Sequence, residues 1–268
     1  MVYFIPTPIG NLDDISVRSL KLLTECKTLF CEDTRITKKL LSLLKERHNL
    51  TFNVERFISM HSHNEAHLLS TIDMSLFEQS VGYVSDAGMP GVSDPGAVLV
   101  RFCQTHQLKY EILPGANAAL LAYVASGVDT HQFLFYGFLS HKGNERHTQL
   151  LEALNTSYAT LLYESPHRIE KLIEELAKVA PNRMLFAIKE ATKLHEKRFL
   201  GTALQIQEQF KKANLKGEWV VVISPLKNEG GSAITQEDIH ELELPPKQKA
   251  KLLSKLTGMS IKECYNSL

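Results

Sequence analysis

Short runs of β-branched and aromatic residues alternate along most of the chain with stretches whose apolar positions recur every three or four residues. The runs predict strands over Val2–Pro6, Thr28–Cys31, Val81–Ser85, Tyr110–Leu113, Phe133–Gly137, Ala159–Glu164, Arg183–Ile188 and Trp219–Ser224. Helical periodicity fills many of the intervals. Ile169, Leu172, Ile173 and Leu176 share one face, with Glu174 spaced to pair with Lys178. Thr202 and Gln205 form a capping-box pattern ahead of Ala203, Ile206, Phe210 and Ala213. Alternation of this kind implies largely parallel sheets covered by helices. The expected fold is therefore α/β, with two α/β domains built on mainly parallel sheets.

Gly127–Thr130 follows about four strands and precedes a second alternating set, so the expected domains are residues 1–126 and 127–225, with a linker and helical tail over 226–268. Pro225–Ser232, with Asn228, Gly230 and Gly231, reads as the linker. No strand signal follows it. Lys247–Leu256 is a basic amphipathic run, Gly258 stops it, and Ser260 with Glu263 opens another helix. Helix, glycine turn, helix is the outline of a small helix-turn-helix, and also of a helical appendage that covers a domain edge.

Composition narrows the class. At 44% hydrophobic and 22% charged, the 268 residues have the make-up of a soluble globular protein. No stretch approaches the roughly 20 apolar residues that span a bilayer, and Met1–Pro6 lacks a basic leader, so a cytoplasmic protein with no membrane partner is expected. The cysteines Cys26, Cys31, Cys103 and Cys264 form no C-x-x-C pair. Lys+Arg and Asp+Glu both number 30, which argues against a simple electrostatic nucleic-acid binder and confines any such site to a local patch.

Three loops rich in glycine and proline each follow a predicted strand, where α/β sheets present ligand sites: Pro6–Leu12, Ser85–Gly96 and Pro114–Ala118. Turns use the same residues, but the second loop packs five Gly or Pro and two Asp into its dozen residues, more than a turn requires. Neither G-x-G-x-x-G nor G-x-x-x-x-G-K-[ST] occurs, which points to a cofactor without a pyrophosphate. Two strand ends carry charge, Glu32-Asp33-Thr34-Arg35 and Tyr163-Glu164-Ser165-Pro166-His167-Arg168, although Asp33 or Thr34 can equally cap the next helix. His61, His63 and His67 lack the partners of a recognised metal site, so no metal is expected. A G-x-S-x-G nucleophile elbow is missing.

Taken in order, Pro6–Leu12, Glu32–Arg35, His63-Asn64-Glu65, Ser85–Gly96 and Tyr163–Arg168 resemble the ribosomal RNA small subunit methyltransferase I family, the bacterial cytidine 2′-O-methyltransferases of the tetrapyrrole-methylase fold group. The resemblance covers nearly the whole chain. It implies S-adenosylmethionine in a cleft between two α/β domains, a homodimer, and methylation of a cytidine ribose in the decoding region of 16S rRNA within the small ribosomal subunit. Carried over by position, it implies cofactor contacts from Pro8, Gly10, Ser85, Asp86, Ala87, Gly88, Pro90, Ala116, Asn117, Ala118, Tyr163, Ala187, Ile188 and Lys189. Asn117 departs from the family's Pro-Gly-Pro-Ser-Ala loop but keeps hydrogen-bonding capacity. A ribose hydroxyl needs a proton acceptor, and Glu32, Asp33, Glu164 and His167 are the unranked catalytic candidates. Arg35, Arg168, Lys247, Lys251 and Lys255 are the expected RNA contacts. Two rivals remain open on the residues alone: a methyltransferase of the same fold acting on a tetrapyrrole or other small molecule, and a non-catalytic nucleic-acid-binding protein.

Overall fold

The computed structural model describes residues 1–226 and 235–268. Met1–Leu226 form one compact unit and Lys227–Leu268 a second. From Lys227 onward the expected linker lies outside the described residues.

The first unit begins β1 (Val2–Phe4), α1 (Val17–Glu25), β2 (Thr28–Cys31), α2 (Thr34–His48), β3 (Arg56–Ser59), α3 (Glu65–Thr71), β4 (Val81–Val84), α4 (Ala97–Thr105), β5 (Tyr110–Ile112) and α5 (Ala118–Ser126). It continues β6 (Phe133–Phe138), α6 (Gly143–Leu154), β7 (Ala159–Glu164), α7 (Ile169–Val179), β8 (Met184–Lys189), β9 (Lys197–Thr202), α8 (Ala203–Phe210) and β10 (Trp219–Ile223). Polar caps start several of the helices: Ser16, Asp33 and Asn117 each accept a backbone N–H of the first turn, and Thr202 with Gln205 makes the expected capping box. On α7 the pair that forms is Lys171–Glu175 at 3.8 Å.

The first sheet has the order β3-β2-β4-β1-β5 and is parallel throughout. Its central strands β2 and β4 are wholly buried, as near-continuous apolar runs require in a sheet covered on both faces. Leu23, Leu29 and Leu44 pack on one face, and Phe4, Phe30, Tyr83 and Leu99 on the other.

The second sheet has the order β6-β7-β10-β8-β9. Only β6 and β7 run parallel there, the remaining three pairings being antiparallel. Across both sheets five of eight strand pairings are parallel, so the mainly parallel architecture holds for the molecule while the second sheet is mixed. Residues 190–196 are too short a connection for a parallel crossover, so β9 folds back beside β8. Strands β3 and β9 were not anticipated by the residue pattern.

The second unit contains α9 (Gln236–Glu241), α10 (Pro246–Thr257) and α11 (Ile261–Asn266), closed on a small core of Ile239, Ala250, Leu253 and Cys264. Gly258 ends α10 in the left-handed region (φ 75°), and Ser260 with Glu263 caps α11, as the pattern predicts. Leu256, Ile261 and Leu268 are exposed, because the third helix, α9, fills the core with Ile239 instead. Among the described residues no helix is long and apolar enough to cross a membrane.

Candidate active site

A parallel sheet delivers the loops after its strands to one edge, and here three of those loops are stitched together. The Thr7 N–H donates to the Gly88 carbonyl (3.0 Å) and the Gly88 N–H to the Thr7 carbonyl (3.1 Å). The buried Thr7 hydroxyl donates to the Ser85 carbonyl (3.3 Å), and the Ser85 hydroxyl to the Gly88 carbonyl (3.1 Å). Gly88 adopts φ 84°, and a Cβ there would stand 3.1 Å from Ile9 Cγ2 and 3.3 Å from the Ala116 carbonyl. Glycine is thus required by backbone conformation at the junction of the three loops. The Asp33 N–H donates to Asp86 Oδ1 (3.1 Å), and the Gly91 N–H to Asp94 Oδ1 (2.5 Å).

These loops form one wall of a cavity of about 440 Å³, within the range of small-molecule sites. Ile9, Glu32, Ala87, Gly88, Val92, Ser93, Asp94, Asn117 and Ala118 line that side. Phe138, Tyr163, Glu164, Ile188, Ala191, Glu218, Trp219 and Val220 line the other, contributed by the second sheet and its loops.

Of the expected cofactor contacts, Ala87, Gly88, Asn117, Ala118, Tyr163 and Ile188 lie on the cavity wall. Asn117 also caps α5, its Oδ1 accepting the Leu120 N–H (3.0 Å). Pro8, Ser85 and Pro90 are buried and Asp86 half-buried, away from the lining, where they hold the loops. Gly10 packs against the 190–196 connection, with a Cβ position only 2.8 Å from the Ala191 carbonyl. Ala116 meets the Gly88 position through its carbonyl. The side chains of Ala187 and Lys189 lie off the cavity, because side chains alternate along a strand and Ile188 takes the cavity face. Ala187 packs with Leu185 in the opposite core, and buried Lys189 donates to the Asn214 carbonyl (2.9 Å).

The four catalytic candidates separate by environment. Glu32 is on the cavity wall, and burial, reinforced by the charges of Asp86 and Asp94, raises its pKa. Asp86 and Asp94 are themselves raised, chiefly by burial and partly offset by the N–H groups they accept. Asp33 caps α2 and is held down at about 2 by its hydrogen bond with Arg35. Glu164 is fully buried between two guanidiniums, Arg168 Nε at 3.1 Å and Arg146 at 3.5 Å, while also accepting the Ser165 N–H. His167 is exposed and off the cavity lining. Of the four candidates, only Glu32 combines a place on the cavity wall with a raised affinity for a proton, a combination that Asp94 shares.

The arginines also divide. Arg35 is exposed and paired with Asp33 at 2.6 Å. Arg168, an expected RNA contact, is turned inward, donating to the Leu139 carbonyl (2.6 Å) as well as facing Glu164. Lys247, Lys251 and Lys255 are all exposed on α10, four residues apart, forming a single stripe. Sequence reasoning missed Arg146, Asp94 and Phe138. The two acids in the Ser85–Gly96 loop were a signal for Asp94. Nothing local marks Arg146 or Phe138, whose partners come from other elements.

Residues 1–207 match the family model for Tetrapyrrole (Corrin/Porphyrin) Methylases. The chain is 48% identical to the Ribosomal RNA small subunit methyltransferase I of Campylobacter fetus subsp. fetus, covering 100% of this chain and 99% of that one. It is 42% identical to the protein of the same name from Helicobacter pylori strain J99, covering 99% and 96%. Among solved structures, the uroporphyrin-III C-methyl transferase of Thermus thermophilus complexed with S-adenyl homocysteine is similar, with a TM-score of 0.57 and 17% identity over 83% of this chain and 96% of that one.

Proposed function

The chain belongs to the ribosomal RNA small subunit methyltransferase I family, within the tetrapyrrole methylases, and on that premise we propose that it methylates the ribose 2′-hydroxyl of a cytidine in 16S rRNA, using S-adenosylmethionine. The observation that carries the reading is a ligand-sized cavity with an apolar interior and two carboxylates of raised proton affinity, Glu32 and Asp94, on its wall.

The cavity suits the cofactor's chemistry. Ile9, Ala118, Ile188 and Val220 offer apolar surface for an adenine ring, and Glu32 and Asp94 place negative charge where a cationic sulfur is to be held. When bound, S-adenosylmethionine supplies a methyl group already activated as a sulfonium. The protein's own residues position the two reactants, exclude water through that apolar wall, and provide a proton acceptor. Glu32 takes the proton from the 2′-hydroxyl at its carboxylate. Glu164, Arg146 and Arg168 form a buried charge cluster that fixes the second sheet's part of the wall, since breaking such a cluster costs about 3–5 kcal/mol.

RNA is favoured over a tetrapyrrole because the relatives at 48% and 42% identity bear ribosomal RNA names, whereas likeness to the uroporphyrin enzyme is one of fold. The lysine stripe on α10 suits phosphate contacts. We also propose a cytoplasmic homodimer, with a domain division at residues 126/127. Leu120, Val124, Phe133 and Leu134 expose apolar side chains near the unpaired edge strand β6. Light scattering is expected to report twice the chain mass of 30.2 kDa, and a monomer at micromolar concentration would remove the dimer.

The cofactor assignment is tested by calorimetry with S-adenosylhomocysteine. Ala118→Phe places a ring in the cavity from the first turn of α5 and is expected to weaken binding at least tenfold while the protein stays folded. Undiminished affinity in the folded variant would move the cofactor elsewhere.

A further inference from the structure

Strand β6 contains an irregularity that changes where one aromatic ring points. Its pairing with β7 shifts register between Phe135 and Gly137, and Gly137 takes φ 75°. In a regular strand Phe135 and Phe138, three positions apart, would face opposite sides. The extra residue reverses that, because a bulge re-aims the side chains beyond it. Both rings consequently meet Tyr163, with centroids at 5.0 Å for Phe135 and 5.6 Å for Phe138, each edge-on. Phe135 is half-buried in the core beside α5. Phe138 lines the cavity and is 52% exposed. A large apolar ring is thus held at the cavity wall by a bulge and an edge-on neighbour, with much of its surface in water.

The surroundings identify what the ring faces. The Cβ position of Gly137 is 3.8 Å from Ser93 Oγ, so the bulge abuts the Val92–Asp94 stretch of the long loop. Glu32 and Asp94 line one wall of the cavity and Phe138 and Tyr163 the other, and the two walls approach each other where Gly137 meets Ser93. The more enclosed apolar surface of buried Ile188, Trp219 and Val220 is available to the cofactor. The ring therefore lines the same cavity as Glu32, from the opposite wall, with a water-exposed face open to a nucleotide that brings its 2′-oxygen to that carboxylate.

We propose that Phe138 is a stacking platform for a nucleobase of the RNA substrate, at or next to the methylated nucleotide, and so a substrate-positioning residue. Unstacked bases in RNA are commonly held on aromatic faces, and base–aromatic stacking tolerates any aromatic ring but not an aliphatic side chain of similar bulk. The proposal rests on the reading of the protein as an rRNA methyltransferase.

The test uses the full-length protein, tritiated S-adenosylmethionine, and small ribosomal subunits from cells lacking this protein. Phe138→Leu keeps apolar bulk and is expected to raise KM for the subunit, and so lower kcat/KM, on the order of ten- to a hundredfold. Phe138→Tyr is expected to stay within about threefold of the parent, and affinity for S-adenosylhomocysteine by calorimetry to be unchanged in both. Full activity in Phe138→Leu, or equal losses in the Leu and Tyr variants, would overturn the platform. A parallel loss of S-adenosylhomocysteine affinity would overturn it in favour of a cofactor contact. A parent protein that methylates no subunit at all would instead remove the functional reading, and the platform with it.

Discussion

A carboxylate partly withdrawn from water, with other carboxylates nearby, holds a proton more tightly than one in solvent, and Glu32 occupies such a place at the cavity wall. Two consequences oppose each other. In its proposed role as a base, Glu32 works only when ionised, so the acid limb of kcat against pH is expected above the ordinary glutamate range. As a structural group, its folded-state pKa is raised. The stability it contributes is present below the unfolded pKa and is lost as pH rises through the folded one. At neutral pH the ionised form is therefore a burden on the fold. Glu32→Gln is expected to cut kcat by about two to four orders of magnitude and to raise Tm at pH 7 relative to the parent. A variant with near-parental kcat would remove Glu32 as the base, and a lowered Tm would contradict the electrostatic account. Residue types and loop position brought out four acceptors but could not order them. Asp33 is paired with its own neighbour Arg35, whereas Glu164, at the end of β7, faces Arg146 from α6 as well as nearby Arg168, a pairing across elements that only the tertiary structure reveals.

At the scale of elements, strands that read as apolar runs were legible, and the two missed strands explain themselves. Arg56–Ser59 and Lys197–Thr202 are the outer strands β3 and β9. An edge strand has one unpaired side and can carry charge that discourages aggregation, and these two do, so they lack the apolar signature of β2 or β10, which the edge strand β6 keeps. The bulge in β6 was equally illegible, since its glycine looks like any strand-end turn. The tail shows the converse, for its caps and glycine stop fell where the sequence placed them, while α9 was overlooked. If the exposed stripe of Lys247, Lys251 and Lys255 grips phosphates, binding through it is salt-sensitive and sequence-independent. Removing the residues after Ser232 is expected to leave S-adenosylhomocysteine affinity unchanged, weaken substrate binding and flatten its dependence on salt. Full methylation activity with an unchanged salt slope would reduce the tail to a structural appendage.

For the molecule as a whole, the cavity is assembled from parts that are far apart in sequence. One wall comes from loops at the C-terminal edge of a parallel sheet, the other from a mixed sheet whose strand order no local pattern discloses. Zero net charge suits the proposed reading, in which recognition is local to the cavity and the lysine stripe rather than spread over the surface. The most direct test of the account is transfer of tritiated methyl from S-adenosylmethionine to small subunits from cells lacking this protein, with the labelled nucleotide mapped. One methyl per subunit is expected, on the 2′-oxygen of a single cytidine, as shown by a ribose bond that resists alkali. Label on a base, on ribosomal protein, or on no part of the subunit would contradict it.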